Sequence, residues 1–261
     1  MSAIRNLAND RPFVFVIGLF VVNIVISFPF VVLFKIAGLD ITPLRLIIPI
    51  VDSAFSVWVV WYLGWFRRAG FTRQVNDVHL YWYPAILALV PVLFYGTVQL
   101  PAGPVIFYMA ALLFTGLSEE TLARGIMFPA LLSRGKWVAL FFTALVFSAG
   151  HVTNLFFEEF GLLEWTDKFL ATFGFAVLYG AVFLRTGNIW PLIFLHMLHD
   201  YSYLTSGSAG PFTVVPFDIR LHLLLSVLSI AYAVVIMQKL SPDSFAERLG
   251  AAAGSPGLQR K

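Results

Sequence analysis

Leu80–Ser118, LYWYPAILALVPVLFYGTVQLPAGPVIFYMAALLFTGLS, runs for 39 residues without a charged side chain. A transmembrane helix needs about 20 mostly apolar residues to cross about 30 Å of hydrocarbon. The stretch is therefore long enough for two spans, and Pro101-Ala102-Gly103-Pro104 is the natural break between them. Similar runs lie on both sides. Pro12–Phe34 sits between Arg11 and Lys35, and Leu46–Phe66 carries one charge, Asp52, and ends among Trp58, Trp61, Tyr62 and Trp65. Trp137–Phe157, Phe169–Leu184, Ile189–Thr205 and Leu221–Gln238 follow. The expected fold is all-α: a polytopic transmembrane bundle of about eight helices. One integral membrane domain over residues 1–240 is expected, with a polar, loose tail from 241 to 261.

Composition agrees. Of 261 residues, 59% are hydrophobic and 12% charged, against about 25% charged in ordinary globular domains. That balance excludes a water-soluble single domain, a disordered chain and a nucleic-acid binder. The net charge of +3 is what basic loops give a membrane protein. With no Cys, disulfides, thiolate zinc sites, Cys nucleophiles and S-acylation are excluded. The first run is too long for a signal-peptide core and has no small-x-small cleavage site after it, so it reads as a retained helix. With eight helices, twelve Lys/Arg fall on one side and four on the other, Arg124 lying inside a span. This predicts both termini in the cytoplasm, and the segment with Glu158, Glu159, Glu164 and Asp167 outside.

Ionisable groups within spans are costly and mark candidate sites. In Ser118-Glu119-Glu120-Thr121-Leu122-Ala123-Arg124, Glu120 and Arg124 share a helix face and can pair. Glu119 points about 100° away and is left free to act as general base. The alternative is an ion cluster that pins helices, the role that suits Glu120 and Arg124. His151 closes Phe147-Ser148-Ala149-Gly150-His151. A turn at Arg134–Lys136 would put Glu119 and His151 at one depth, about 24 Å from it. In His196-Met197-Leu198-His199-Asp200, Asp200 is one turn beyond His196 and can orient its ring. His199 turns about 60° off that line and reads as structural. Asp52 reads as structural, with Arg124 as a conceivable partner. His222, beside Arg220, reads as interfacial at a helix entrance. His79 falls in a loop, and Glu158, Glu159 and Glu164 suit a solvated face.

The ordered set Glu-Glu-x-x-x-Arg, Phe-x-x-x-His and His-x-x-x-Asn/Asp, with Leu184-Arg185-Thr186-Gly187-Asn188-Ile189-Trp190-Pro191 before the third motif, resembles that of the CAAX prenyl protease and bacteriocin-processing family. These are intramembrane glutamic endopeptidases, including the type II CAAX prenyl endopeptidases. The resemblance covers roughly Ala111–Tyr203. It implies hydrolysis of peptide bonds in a membrane peptide or lipidated, possibly prenylated, protein within the bilayer of a prokaryotic plasma membrane. It also implies that Glu119 activates water with help from His151, and that His196 and the residue four later stabilise the oxyanion. The prenyl-protease pattern has Asn where this sequence has Asp200. An amide can donate to an oxyanion and an ionised carboxylate cannot, so Asp200 is either protonated or acts through His196.

Other chemistries lack their residues. The sequence has no His-Glu-x-x-His. It also lacks the Gly-x-Ser-Gly of serine intramembrane proteases and the Gly-x-Gly-Asp of the aspartyl type. One Glu and two His can activate water directly or hold zinc as a two-His, one-Glu site; the resemblance favours chemistry without a cofactor. A proton-coupled carrier, or an immunity or scaffold protein, is the non-enzymatic alternative. The groups cluster in the second half without an internal repeat, which counts against a carrier.

Overall fold

The computed structural model describes residues 2–74, 77–97, 100–151, 161–206 and 219–239. A short amphipathic helix α1 (Ser2–Asp10) leads into α2 (Pro12–Ile36) and α3 (Leu44–Leu63). The 39-residue uncharged run follows as α4 (Trp82–Tyr95) and α5 (Ala102–Glu120), broken before Ala102 as expected. A π-helical segment (Thr121–Met127), α6 (Phe128–Leu131) and a 3-10 turn carry α5 on to Arg134. Then come α7 (Lys136–Gly150), α8 (Leu162–Thr186), α9 (Trp190–Thr205) and α10 (Ile219–Gln238). No strand occurs among the described residues. Six segments are long and apolar enough to cross a membrane: α2, α3, α4 with its leading turn, the α5-to-Arg134 unit, α8 and α10. With the shorter α7 and α9 this fits the expected count, and the protein is an integral membrane protein. Glu158, Glu159 and the 241–261 tail lie outside the described residues.

Helix ends fall where the chain chemistry puts them. Pro12 and Pro191 occupy first-turn positions of α2 and α9, where a missing N–H costs nothing. The turn after Arg134 is made by Gly135 at φ +107°, and α7 folds back against α6 and the π segment. Helix α8 is the most enclosed: every residue from Ala176 to Leu184 is buried. It packs on α7 and α10, while α5 lies against α3 and α9. Helix α2, by contrast, leaves Val14, Ile17, Val21, Val22, Val25, Leu33 and Ile36 exposed, a face for lipid.

Two expectations need correction. Helix α8 starts seven residues before the uncharged run at Phe169, so Asp167 is no outward loop residue. It is buried, and its carboxylate accepts a hydrogen bond of 2.7 Å from His222 Nδ1. His222 is therefore a buried partner of α8 and not an interfacial residue. The physical reason is mutual: each group makes the other tolerable in a low-dielectric interior.

Lipid supplies no hydrophobic drive between helices, so close backbone approach and interhelical hydrogen bonds hold the bundle. A methyl on Gly116 would meet the Ile193 carbonyl oxygen at 2.8 Å, and one on Gly174 would meet the Ser226 Cα at 2.6 Å. These glycines let α9 lie on α5 and α10 on α8. Ser53 Oγ donates to the Phe114 carbonyl at 2.8 Å across α3 and α5, and Ser226 Oγ to the Leu170 carbonyl at 3.0 Å across α10 and α8. The turn into α9 is latched to the segment after α3. Ile189 N–H donates to the Gly70 carbonyl (3.0 Å), and the buried Asn188 amide donates to the carbonyls of Thr72 (3.2 Å) and Gln74 (2.7 Å). Gly116→Ala is expected to cost about 1–3 kcal/mol. Gly103→Ala, which faces open space, should leave stability unchanged or slightly raised; thermal unfolding of both in detergent checks the contrast.

Candidate active site

The sequence Glu119-Glu120 splits across two environments. Glu120 is fully buried, while Glu119 keeps 35% of its side chain exposed, in the wall of an internal cavity. Glu120 Oε1 is shared: Arg124 Nη1 donates to it at 3.1 Å and His196 Nδ1 at 2.8 Å. Arg124 is buried too, and its Nη2 donates to the Ala176 carbonyl at 3.3 Å. Its guanidinium lies 4.8 Å from the Phe147 ring centre and 5.5 Å from that of Tyr179, so the charge rests against aromatic faces as well as the carboxylate.

His196 is thus held from one side. Its Nδ1 faces a carboxylate oxygen, which can only accept, so Nδ1 carries a proton. The other nitrogen, Nε2, lies 3.7 Å from Glu119 Oε2 and 3.5 Å from Asp200 Oδ2. Phe175 packs edge-on against the imidazole, with centroids 5.1 Å apart. His151 caps the end of α7, and its Nδ1 lies 3.0 Å from the Phe147 carbonyl. A carbonyl also only accepts, which fixes the proton on Nδ1 and leaves Nε2 for other partners. The Phe147 ring stands 5.0 Å from His151 and 6.5 Å from His196 by centroids, so the first residue of Phe-x-x-x-His spaces the two imidazoles.

The cavity measures about 620 Å³, and its lining includes Glu119, His151, His196 and Asp200. All four sequence-predicted catalytic candidates therefore meet in one space. The supporting pair also lies where expected, but Glu120 does more than pair with Arg124, because it grips His196 directly. His199 behaves as expected for a structural residue, with Nδ1 3.3 Å from the Leu87 carbonyl, although its ring also borders the cavity. Asp52 borders the cavity as well and accepts a hydrogen bond from Ser27, while Arg124 turns to Glu120 and Ala176. His79 is exposed in the short turn before α4. Asn188, which belongs to the segment before the third motif, acts as the latch described above.

The π segment was not visible in the sequence. Phe128 N–H donates to the Ala123 carbonyl, five residues back, and so adds a residue to the turn directly after Glu120. Such turns often sit at functional sites. Here the turn carries Arg124, whose head group is folded back onto the carboxylate. No group of three or more His, Asp and Glu side chains is arranged to ligate a metal among the described residues.

Because Glu120 and Arg124 are both buried, removing the guanidinium strands a carboxylate. Arg124→Met should cost about 3–5 kcal/mol. The double change with Glu120→Gln should cost less than the sum of the single changes; chemical unfolding in detergent measures the difference.

Comparison with known proteins adds one positive finding. No curated protein matches the chain, and no solved structure does. Residues 101–202 match the family described as type II CAAX prenyl endopeptidase Rce1-like. The matched stretch begins one residue before α5 and ends within α9, so it contains Glu119, Glu120, Arg124, His151, His196 and Asp200. Over that stretch the chain carries the pattern of the Rce1-like type II CAAX prenyl endopeptidases, a family of membrane-embedded proteases, and the resemblance read from its three motifs stands.

Proposed function

We propose that the protein is an intramembrane glutamic endopeptidase that hydrolyses a peptide bond in a membrane-associated peptide or lipidated protein. The observation that carries this reading is Glu119. It is a carboxylate on the wall of a cavity, 3.7 Å from an imidazole nitrogen whose partner nitrogen is locked by a buried ion pair. A water touching both Glu119 and His196 would sit off the line between them. Glu119 takes its proton, and the hydroxide formed attacks the scissile carbonyl. His196, held by Glu120, stands ready to donate from Nε2 to the oxyanion when doubly protonated. His151 supplies Nε2 to the same space, as a second acceptor or, once protonated, as a donor to the leaving amine. Asp200 acts through His196. An ionised carboxylate cannot donate to an oxyanion, and its 3.5 Å separation from Nε2 suits orientation of the charged ring. No metal takes part in this scheme. The Lys/Arg balance of the loops supports termini in the cytoplasm, and the family resemblance supports a prokaryotic plasma membrane.

A carrier would use the same groups to relay protons. The cavity arrangement favours hydrolysis, because base, imidazole and orienting carboxylate surround one reacting space.

Glu119→Gln should lower substrate processing in membranes by at least about 100-fold with purified yield and unfolding temperature unchanged. Undiminished processing would end the proposal. Asp200→Asn should keep activity within about tenfold while Asp200→Ala loses more, since an amide can still hold the ring and fits the family pattern. Activity should persist in excess chelator; loss restored by added zinc would revive the metal alternative.

A further inference from the structure

Asp52 is a cavity group that the proposed chemistry does not use. It stands midway along α3, within a span, and borders the cavity that holds Glu119. Its carboxylate accepts a hydrogen bond from Ser27 Oγ on α2. Asn23, one turn before Ser27, lines the cavity too, so the two share a helix face. A carboxylate at this depth is costly without a positive partner. Among the described residues no Lys, Arg or His forms an ion pair with Asp52, although Arg45, seven residues earlier on α3, lines the same cavity. Glu120, by comparison, has both Arg124 and His196. The wall made by α2 and α3 therefore presents a carboxylate to the open space without a cation to match it.

Geometry sets the reach. Ser53 Oγ donates to the Phe114 carbonyl (2.8 Å), which puts its neighbour Asp52 at the level of Phe114 on α5. Glu119 lies five residues beyond Phe114, or about 7.5 Å along the axis. An extended peptide rises about 3.3 Å per residue, so a substrate running along α5 meets Asp52 about two residues from the bond being cut. Charge sets the occupant. Ser27 donates to Oδ1, and Oδ2 remains to accept. An ammonium or guanidinium brings both the charge that the wall lacks and the donors that Oδ2 and the Asn23 amide oxygen can take. A second carboxylate would be repelled, and an apolar side chain would leave the charge unpaired.

Resting on the endopeptidase reading for the place of the scissile bond, we infer that Asp52 binds a basic side chain of the substrate, lysine or arginine, about two residues from the bond that is cut. Ser27 is a positioning residue that holds the Asp52 carboxylate. Asp52 thus selects, among membrane peptides, those with a cation close to the cut.

The test measures binding to full-length Glu119→Gln protein in nanodiscs, which removes both turnover and a competing carboxylate. The probe is one eight-residue apolar peptide, acetylated and amidated at its ends, with lysine, norleucine or glutamate at its fourth position. The lysine form should bind about tenfold more tightly than the norleucine form, the range of a charge-assisted hydrogen bond, and the glutamate form no more tightly than norleucine. Adding Asp52→Asn should erase the lysine preference, and Asp52→Glu should keep it. Ser27→Ala should shrink it, and Ser27→Thr should restore it. Glu164→Gln, at an acid outside the cavity lining, should leave it intact. Equal binding of the three forms, including no binding by any, overturns the inference, as does a lysine preference that survives Asp52→Asn. Where Asp52→Asn fails to fold, an unchanged preference in Ser27→Ala overturns it instead. In wild-type protein, moving the lysine one position along the peptide should move the cut by one position; cuts that ignore it, or none, overturn the register. A lysine preference that depends on Asp52 while Glu119→Gln still processes substrate would sink the protease reading and leave this subsite in place.

Discussion

A single carboxylate oxygen organises the middle of this bundle. Glu120 Oε1 takes hydrogen bonds from a guanidinium and an imidazole, all three groups being buried. In a medium where an unpaired charge is expensive, that sharing is the condition for having polar chemistry at this depth at all. Much of the surrounding architecture serves it. Phe147 and Tyr179 give Arg124 aromatic faces, the π turn carries Arg124 back onto the carboxylate, and Gly116 lets α9 bring His196 within reach. The neighbouring Glu119 can then remain uncommitted, because the structural demand is met next to it.

The parts of the fold that were legible in the sequence are those governed by local rules. Uncharged runs gave the spans, Pro101–Pro104 gave the break, and Gly135 gave the hairpin turn. The hundred-degree step between adjacent helical residues separated the surroundings of Glu119 and Glu120 before any coordinates. Glu119 and His151, expected at one depth, both line the cavity. What stayed hidden depended on partners distant in the chain. His222 and Asp167 are 55 residues apart, and each looked like a surface residue because each stands beside other charges. The charged first turns of α8, with Glu164, Asp167 and Lys168, disguised a helix as a loop. That Glu120 would grip His196, 76 residues away, could not follow from its pairing with Arg124. The π turn has no signature of composition.

The site also shows how interior polarity is arranged in layers. The innermost groups, Glu120 and Arg124, pair with one another and lie outside the cavity lining. His196 is shared between that inner layer and the cavity, with one nitrogen in each. Glu119 and Asp200 stand on the cavity side. Each step outward is more open and less constrained.

The latch between Asn188 and the carbonyls of Thr72 and Gln74 has a consequence for what counts as the folding unit. The stretch that carries the family pattern ends its turn into α9 on hydrogen-bond acceptors that lie upstream of it, and Asp52, Ile48 and Phe20, all upstream too, close part of the chamber. Excised from the chain, the pattern-bearing portion would lose both its clasp and one of its walls. Autonomy therefore belongs to a larger unit than the recognisable one. The leading helices, which carry no motif, are as much a part of the cavity wall as Glu119.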